Sequence, residues 1–146
     1  MNLQDIDIQT LLPQRPPILM VDRLVDADLK TAATEFVVRD GNIFLENGAL
    51  KSYALIENVA QTCAAQLGFA DKYLAGNDAV RIGYIGSVKK MHIDSVPKVG
   101  ETLTTRMRIL EEVMDMKLIV AESFVGDRCI ATTEMKIALS GERLES

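Results

Sequence analysis

Few side chains in this sequence titrate near neutral pH. There is one histidine, His92, and there are two cysteines, Cys63 and Cys129, both inside apolar segments. The group that stands out is Glu57, a carboxylate within the mostly apolar run 54–68, with Gln61 four residues on. Residues i and i+4 of a helix share a face, so the Gln61 amide is placed to orient the Glu57 carboxyl. A carboxyl held in that way can give a proton to a leaving oxygen or take one from water. From the residues alone, an ordinary solvated helix carboxylate is an equal reading. No cluster with metal-ligand spacing accompanies Glu57, so neither a metal nor another cofactor is expected.

The element that carries Glu57 is predicted as a helix over 52–70, with Ser52 as its N-cap. At about 100° per residue, Leu55, Ile56, Val59, Cys63 and Leu67 fall on one broad side. The other side holds Ala54, Glu57, Gln61, Ala64 and Gly68. Most of those are very small, which suits the close approach of another backbone or a narrow ligand better than it suits a solvated face.

Around this helix the hydrophobic period changes to two. Segments 18–25 and 32–38 read as strands flanking a turn at Asp26-Ala27-Asp28. Downstream, 81–93 reads as extended and 97–100 as a turn. Leu103, Met107 and Ile109 alternate with polar neighbours, 118–125 is a strand, Gly126-Asp127 marks a hairpin, and 131–139 alternates again. The order is strand, strand, helix, then about four strands. One helix cannot cover both faces of so wide a sheet. The expected solution is an α+β hotdog fold in one domain over 1–146: an antiparallel sheet wrapped around one long central helix, with a second subunit completing the cover.

Composition narrows the function classes. The chain has 146 residues, 48% of them hydrophobic, which suits one packed core and not a disordered chain. The net charge of −5 is spread without a basic run, so no nucleic-acid partner is expected. Arg15, Arg23, Arg81, Lys89 and Lys90 are the candidates for one local basic patch. The N-terminus lacks the features of a signal peptide, no apolar run is long enough to span a bilayer, and the cysteines read as reduced. A cytoplasmic protein with no membrane partner is the expectation.

Two segments resemble motifs of the 3-hydroxyacyl-[acyl-carrier-protein] dehydratases. Leu12-Pro13-Gln14-Arg15-Pro16-Pro17-Ile18-Leu19-Met20-Val21-Asp22-Arg23 is similar to that family's N-terminal motif, Leu-Pro-His-Arg-x-Pro followed by three apolar residues and Val-Asp-Arg. Leu55-Ile56-Glu57-Asn58-Val59-Ala60-Gln61 is similar to its central-helix motif. The stretch from Gly83-Tyr84-Ile85-Gly86-Ser87 through Val96-Pro97-Lys98-Val99-Gly100-Glu101-Thr102-Leu103 matches more loosely, and the likeness runs from about 11 to 139. Before the helix, Asn47-Gly48-Ala49-Leu50 stands where the fatty-acid enzymes carry a Pro-Gly-rich loop. In this it resembles the variant subgroup of aryl-polyene-type pathways.

The resemblance implies a chemistry and a set of roles. In that family the motif histidine removes the C2 proton of a 3-hydroxyacyl thioester, and the helix carboxylate protonates the C3 hydroxyl as it leaves. The two groups come from different subunits. Backbone amides at a helix start and at a strand glycine polarise the thioester carbonyl. Carried over, Glu57 is the carboxylate and Gln14 stands at the histidine position. Gly86 is the strand glycine, and Gln61 and Pro17 are substrate-binding. The implied partners are an acyl-carrier-protein or coenzyme A thioester, and a second subunit in a homodimer or in a heterodimer with a related dehydratase.

Gln14 is the departure. An amide has no nitrogen that titrates near neutral pH, and a positioned general base is worth roughly 10²–10⁴ in rate. Three functions therefore stand: a dehydratase with reduced or altered activity; a non-catalytic or half-site subunit of a dehydratase heterodimer; and a thioesterase in which Glu57 activates water. His92 is expected to be an ordinary strand residue, and Asp22 and Arg23 to be structural. Lys89, Lys90 and Arg81 are expected to form a solvated face or a docking site for an acidic carrier protein.

Overall fold

The computed structural model describes residues 2–145. Two strands, β1 (Arg23–Ala27) and β2 (Thr31–Val37), lead through a short hairpin of β3 (Leu45–Glu46) and β4 (Ala49–Leu50) into the helix α1 (Ser52–Phe69). Four long strands follow: β5 (Ala79–Ile93), β6 (Thr102–Val113), β7 (Met116–Val125) and β8 (Arg128–Glu145). The six longer strands form one antiparallel sheet in the order β1-β2-β6-β7-β8-β5, wrapped around α1. This is the expected hotdog architecture.

The period-two residues do what their spacing implies. Leu103, Met107 and Ile109 on β6, Ile119 and Ala121 on β7, and Ala131, Met135 and Ile137 on β8 are all buried. Leu103 and Ala131 cluster with Leu55 of α1, and the others cluster with Val59 and Cys63, so the sheet packs on the helix through two apolar clusters. Both cysteines are free. Among the described residues no helix is long and apolar enough to cross a membrane.

Three differences from the sequence reading have physical causes. The first strand begins at Arg23, not Ile18, because side chains take the backbone groups that a ladder would use. Gln61 accepts from Met20 N, and Asn58 Nδ2 donates to Met20 O at 2.7 Å. Lys51, not Ser52, occupies the N-cap and makes no side-chain cap bond. The helix start is fixed by the chain before it, where Leu50 N donates to Pro97 O and Lys51 N to Phe44 O. Finally, α1 is less apolar inside than its sequence suggests. Asn58, Gln61, Thr62 and Gln66 are all buried, and each is hydrogen-bonded.

The small side of α1 is used as its composition predicts at Gly68. A Cβ there would collide with the backbone of Leu11, so the N-terminal segment crosses the helix at that point. This crossing carries the chain from Ile8 and Leu11, both in the core, towards the proline-rich loop.

Candidate active site

The proline-rich loop is folded by its own arginine. Arg15 Nη1 donates to Leu12 O at 2.7 Å and to Gln14 O at 2.9 Å. Ile18 N and Leu19 N in turn donate to Arg15 O at 2.9 and 3.0 Å, which closes a tight turn over Pro16 and Pro17. The turn holds Gln14 against α1. Its Oε1 is buried and, among the described residues, has no hydrogen-bond partner. A buried carbonyl oxygen without a donor is costly, by roughly 1–3 kcal/mol, unless something else supplies the donor.

Glu57 is half-buried on α1. Gln61 Nε2 donates to Glu57 Oε1 at 2.7 Å and to Ile18 O at 3.1 Å. One amide therefore ties the carboxylate to the proline-rich loop and fixes its direction. Gln14 and Glu57 border the same cavity, of about 250 Å³, within a single chain. Ala60 and Ala64 form its helix side, and Met107, Ile119, Ile137 and Leu139 its apolar lining. Its rim is Gly83, Tyr84 and Ile85 of β5, the last strand of the sheet.

Several expected contacts lie elsewhere. Gln61, expected at the ligand, is fully buried and stands behind Glu57, with both ends of its amide engaged. Pro17 is exposed on the outside of the turn and does not border the cavity. Gly86 does not border it either. It is the extra residue of a β-bulge between Ile85 and Ser87, while Gly83 faces the cavity because a Cβ there would press on Ile137. His92 is exposed and pairs with Asp94 at 2.8 Å. Of the basic candidates, Arg23 pairs with Glu35 and Arg81 with the buried Asp71, both at 2.8 Å. Lys89 and Lys90 remain exposed on β5.

One polar residue of the cavity was not anticipated. Lys117 is only 9% exposed, and it borders the cavity with Cys63. Burial pulls its ammonium below the ordinary lysine value, against the opposing charge of Glu112. Burial also pushes the Cys63 thiol up to about 12, so Cys63 is an inert packing residue and not a nucleophile. The signal for Lys117 was present: it is in phase with the inward residues Ile119, Ala121 and Ser123, and β7 simply starts two residues earlier than 118.

Comparison with known proteins agrees with this architecture. A family model described as ApeP-like, ApeP dehydratase, matches residues 6–140. The chain belongs to the ApeP-like family. The 3-hydroxyacyl-[acyl-carrier-protein] dehydratase FabZ of Lactiplantibacillus plantarum is 26% identical over 141 residues, covering 91% of each chain. The FabZ of Chlamydia trachomatis serovar D is 27% identical over 143 residues, covering 91% of this chain and 90% of its own. Among solved structures, the dehydratase heterocomplex ApeI:P from Xenorhabdus doucetiae superposes with a TM-score of 0.84 at 16% identity, covering 94% and 93% of the two chains. Protein PH1136 from Pyrococcus horikoshii superposes with a TM-score of 0.67 at 12% identity, covering 94% and 96%. The variant subgroup suggested by Asn47-Gly48-Ala49-Leu50 is thus the one matched, and this ApeP-like chain is a dehydratase-like hotdog protein related to FabZ.

For an ApeP-like protein the edge strand is notable. From Tyr84 to Lys90 every residue of β5 is exposed, on both faces of the strand. Tyr84, Ile85 and Val88 are large apolar members of that stretch. A long open edge with exposed apolar side chains is a template for pairing with another chain. Because Tyr84 and Ile85 also form the cavity rim, a chain docked there would roof the cavity.

Proposed function

We propose that this protein is a dehydratase-like subunit acting on 3-hydroxyacyl thioesters of an acyl carrier protein or coenzyme A. It contributes the carboxylate Glu57, and its own activity is weak because Gln14 is not a base. The observation that carries this reading is the pairing of Glu57 with Gln14 on one cavity. Dehydration removes a proton from C2 and releases the C3 hydroxyl as water. Glu57, held by Gln61 and open to the cavity, is suited to protonate the departing hydroxyl. Gln14 carries a neutral amide with no titratable nitrogen, so it cannot take up a C2 proton.

The missing base is supplied, in this reading, by a related dehydratase bearing a histidine and docked along the open edge of β5. The dehydratase heterocomplex among the structural neighbours supports a hetero-oligomer. The two free cysteines fit a cytoplasmic protein.

The test is the loss of one water from a 3-hydroxyacyl carrier protein, followed by mass spectrometry. The chain alone is expected to turn over slowly. Gln14→His is expected to raise the rate by about 10²-fold or more, as is addition of a histidine-bearing dehydratase partner with which it forms a complex. A folded, ligand-binding Gln14→His variant with no gain overturns the assignment of the site. Release of free thiol that Glu57→Gln abolishes would replace dehydration with thioester hydrolysis.

A further inference from the structure

The cavity has two chemically different ends. Along α1 its border runs through Glu57, Ala60, Ala64 and Leu67, a span of about 15 Å at 1.5 Å per residue. Glu57 marks one end. Asn58 bonds Thr105, whereas Gln66, two turns further along α1, bonds Asp28 and Leu29 beside Lys30, whose carbonyl accepts from Ile109 N; Lys117 lies two residues beyond Ile119, the register partner of Ile109, and so towards the C-terminal end of the helix. Lys117 therefore stands far along the cavity from Glu57. On the sheet it is flanked by Ile137, its register partner on β8, and Ile119 lies two residues on along its own strand.

An ammonium in that position is poorly provided for. The nearest acidic oxygen is Glu112 Oε1, at 3.8 Å, longer than a hydrogen bond, and Glu112 is itself substantially exposed. Among the described residues Lys117 Nζ donates no hydrogen bond. The Nζ atom is not sealed off from solvent, so water or a ligand in the cavity completes its hydrogen bonding. A plain alkyl chain would make matters worse, since it would displace water from the ammonium and offer no acceptor.

We propose that Lys117 sets acyl specificity, by selecting thioesters whose acyl chain carries a hydrogen-bond-accepting oxygen at its far end. The proposal rests on the reading of Glu57 as the reactive end. With the thioester and C3 at Glu57, the chain lies along Ala60 and Ala64, and its distal oxygen accepts from Lys117 Nζ. The bland alternative is that the lysine stem packs in the lining while the ammonium reaches out towards Glu112.

Binding separates these without relying on turnover. The probes are two pantetheine amides that cannot be hydrolysed, one bearing an octanoyl chain and one bearing the same chain ended by a carboxylate. Titrated calorimetrically into the protein, the carboxylate-ended probe is expected to bind about ten-fold more tightly, the value of one charge-assisted hydrogen bond. Lys117→Met, which keeps the volume and removes the charge, is expected to abolish or reverse that preference. Glu112→Gln, a change at an exposed site, is expected to strengthen the preference by removing the competing acid. Equal or tighter binding of the octanoyl probe by the unaltered protein overturns the proposal and leaves the Glu57 reading intact. Failure of both probes to bind overturns the two together.

Discussion

Asp71 and Glu57 are two carboxylates at the two ends of the same helical element, and they are treated in opposite ways. Asp71 lies in the π-helical turn after α1 with its side chain 5% exposed. It accepts from Arg81 N at 2.8 Å, from Arg81 Nη2 at 2.8 Å, and from Arg81 Nε at 3.1 Å to either oxygen. Among the described residues Glu57 accepts from Gln61 alone, through one oxygen, and it faces a cavity. Asp71 has no capacity left for a ligand. Glu57 is aimed but not saturated, and that is the condition in which a carboxyl can exchange a proton with something that enters.

The comparison ranks the cost of removing each group. Asp71→Ala is expected to cost the most, about 3 kcal/mol in denaturant unfolding, because the half-buried Arg81 loses the acceptor of both its guanidinium and its part-buried backbone N–H. Gln61→Leu follows at about 2 kcal/mol, since Met20 N, Ile18 O and Glu57 all lose a partner. Asp28 sharpens the scale. It accepts from Lys30 N, Thr31 N and the Thr31 hydroxyl, but at the surface. The backbone N–H of Lys30, then that of Thr31, hold its carboxyl below the ordinary value of 3.8. Its contribution is therefore complete above that value and lost as pH falls through the lower folded one. Melting curves of Asp28→Ala and the unaltered protein should differ modestly at neutral pH and converge in strong acid. Glu57→Gln is expected to change stability least, by about 0.5 kcal/mol or less, while dehydration falls to background. Should Glu57→Gln destabilise as Asp71→Ala does, Glu57 is a structural acid and the contrast fails.

Much of the fold was legible because the inward strand residues recur with period two and the helix is long. Glu57, too, could be picked out by its place on a small-residue face. The rest depended on partners far away in sequence. Nothing local says that Asn58 and Gln61 capture the backbone of Met20 and so deny the run before Arg23 a ladder. Gly86 fits the motif, yet bulges on both sides of Gly83 decide which glycine turns inward. Lys117 was overlooked because a charged residue at the start of a hydrophobic run reads as its boundary. Its phase with Ile119 was the better guide.

The buried amides of α1 have a consequence of their own. A helix held only by methyl groups can turn or slide slightly at small cost, because one apolar contact replaces another. Here Asn58 engages Met20, Gln61 engages Ile18 and Met20, and Gln66 engages Asp28 and Leu29. Rotation by one residue, about 100°, would leave every one of those groups unpaired in the interior. The helix consequently has one angular setting on the sheet. The direction in which Glu57 points is fixed before any ligand arrives.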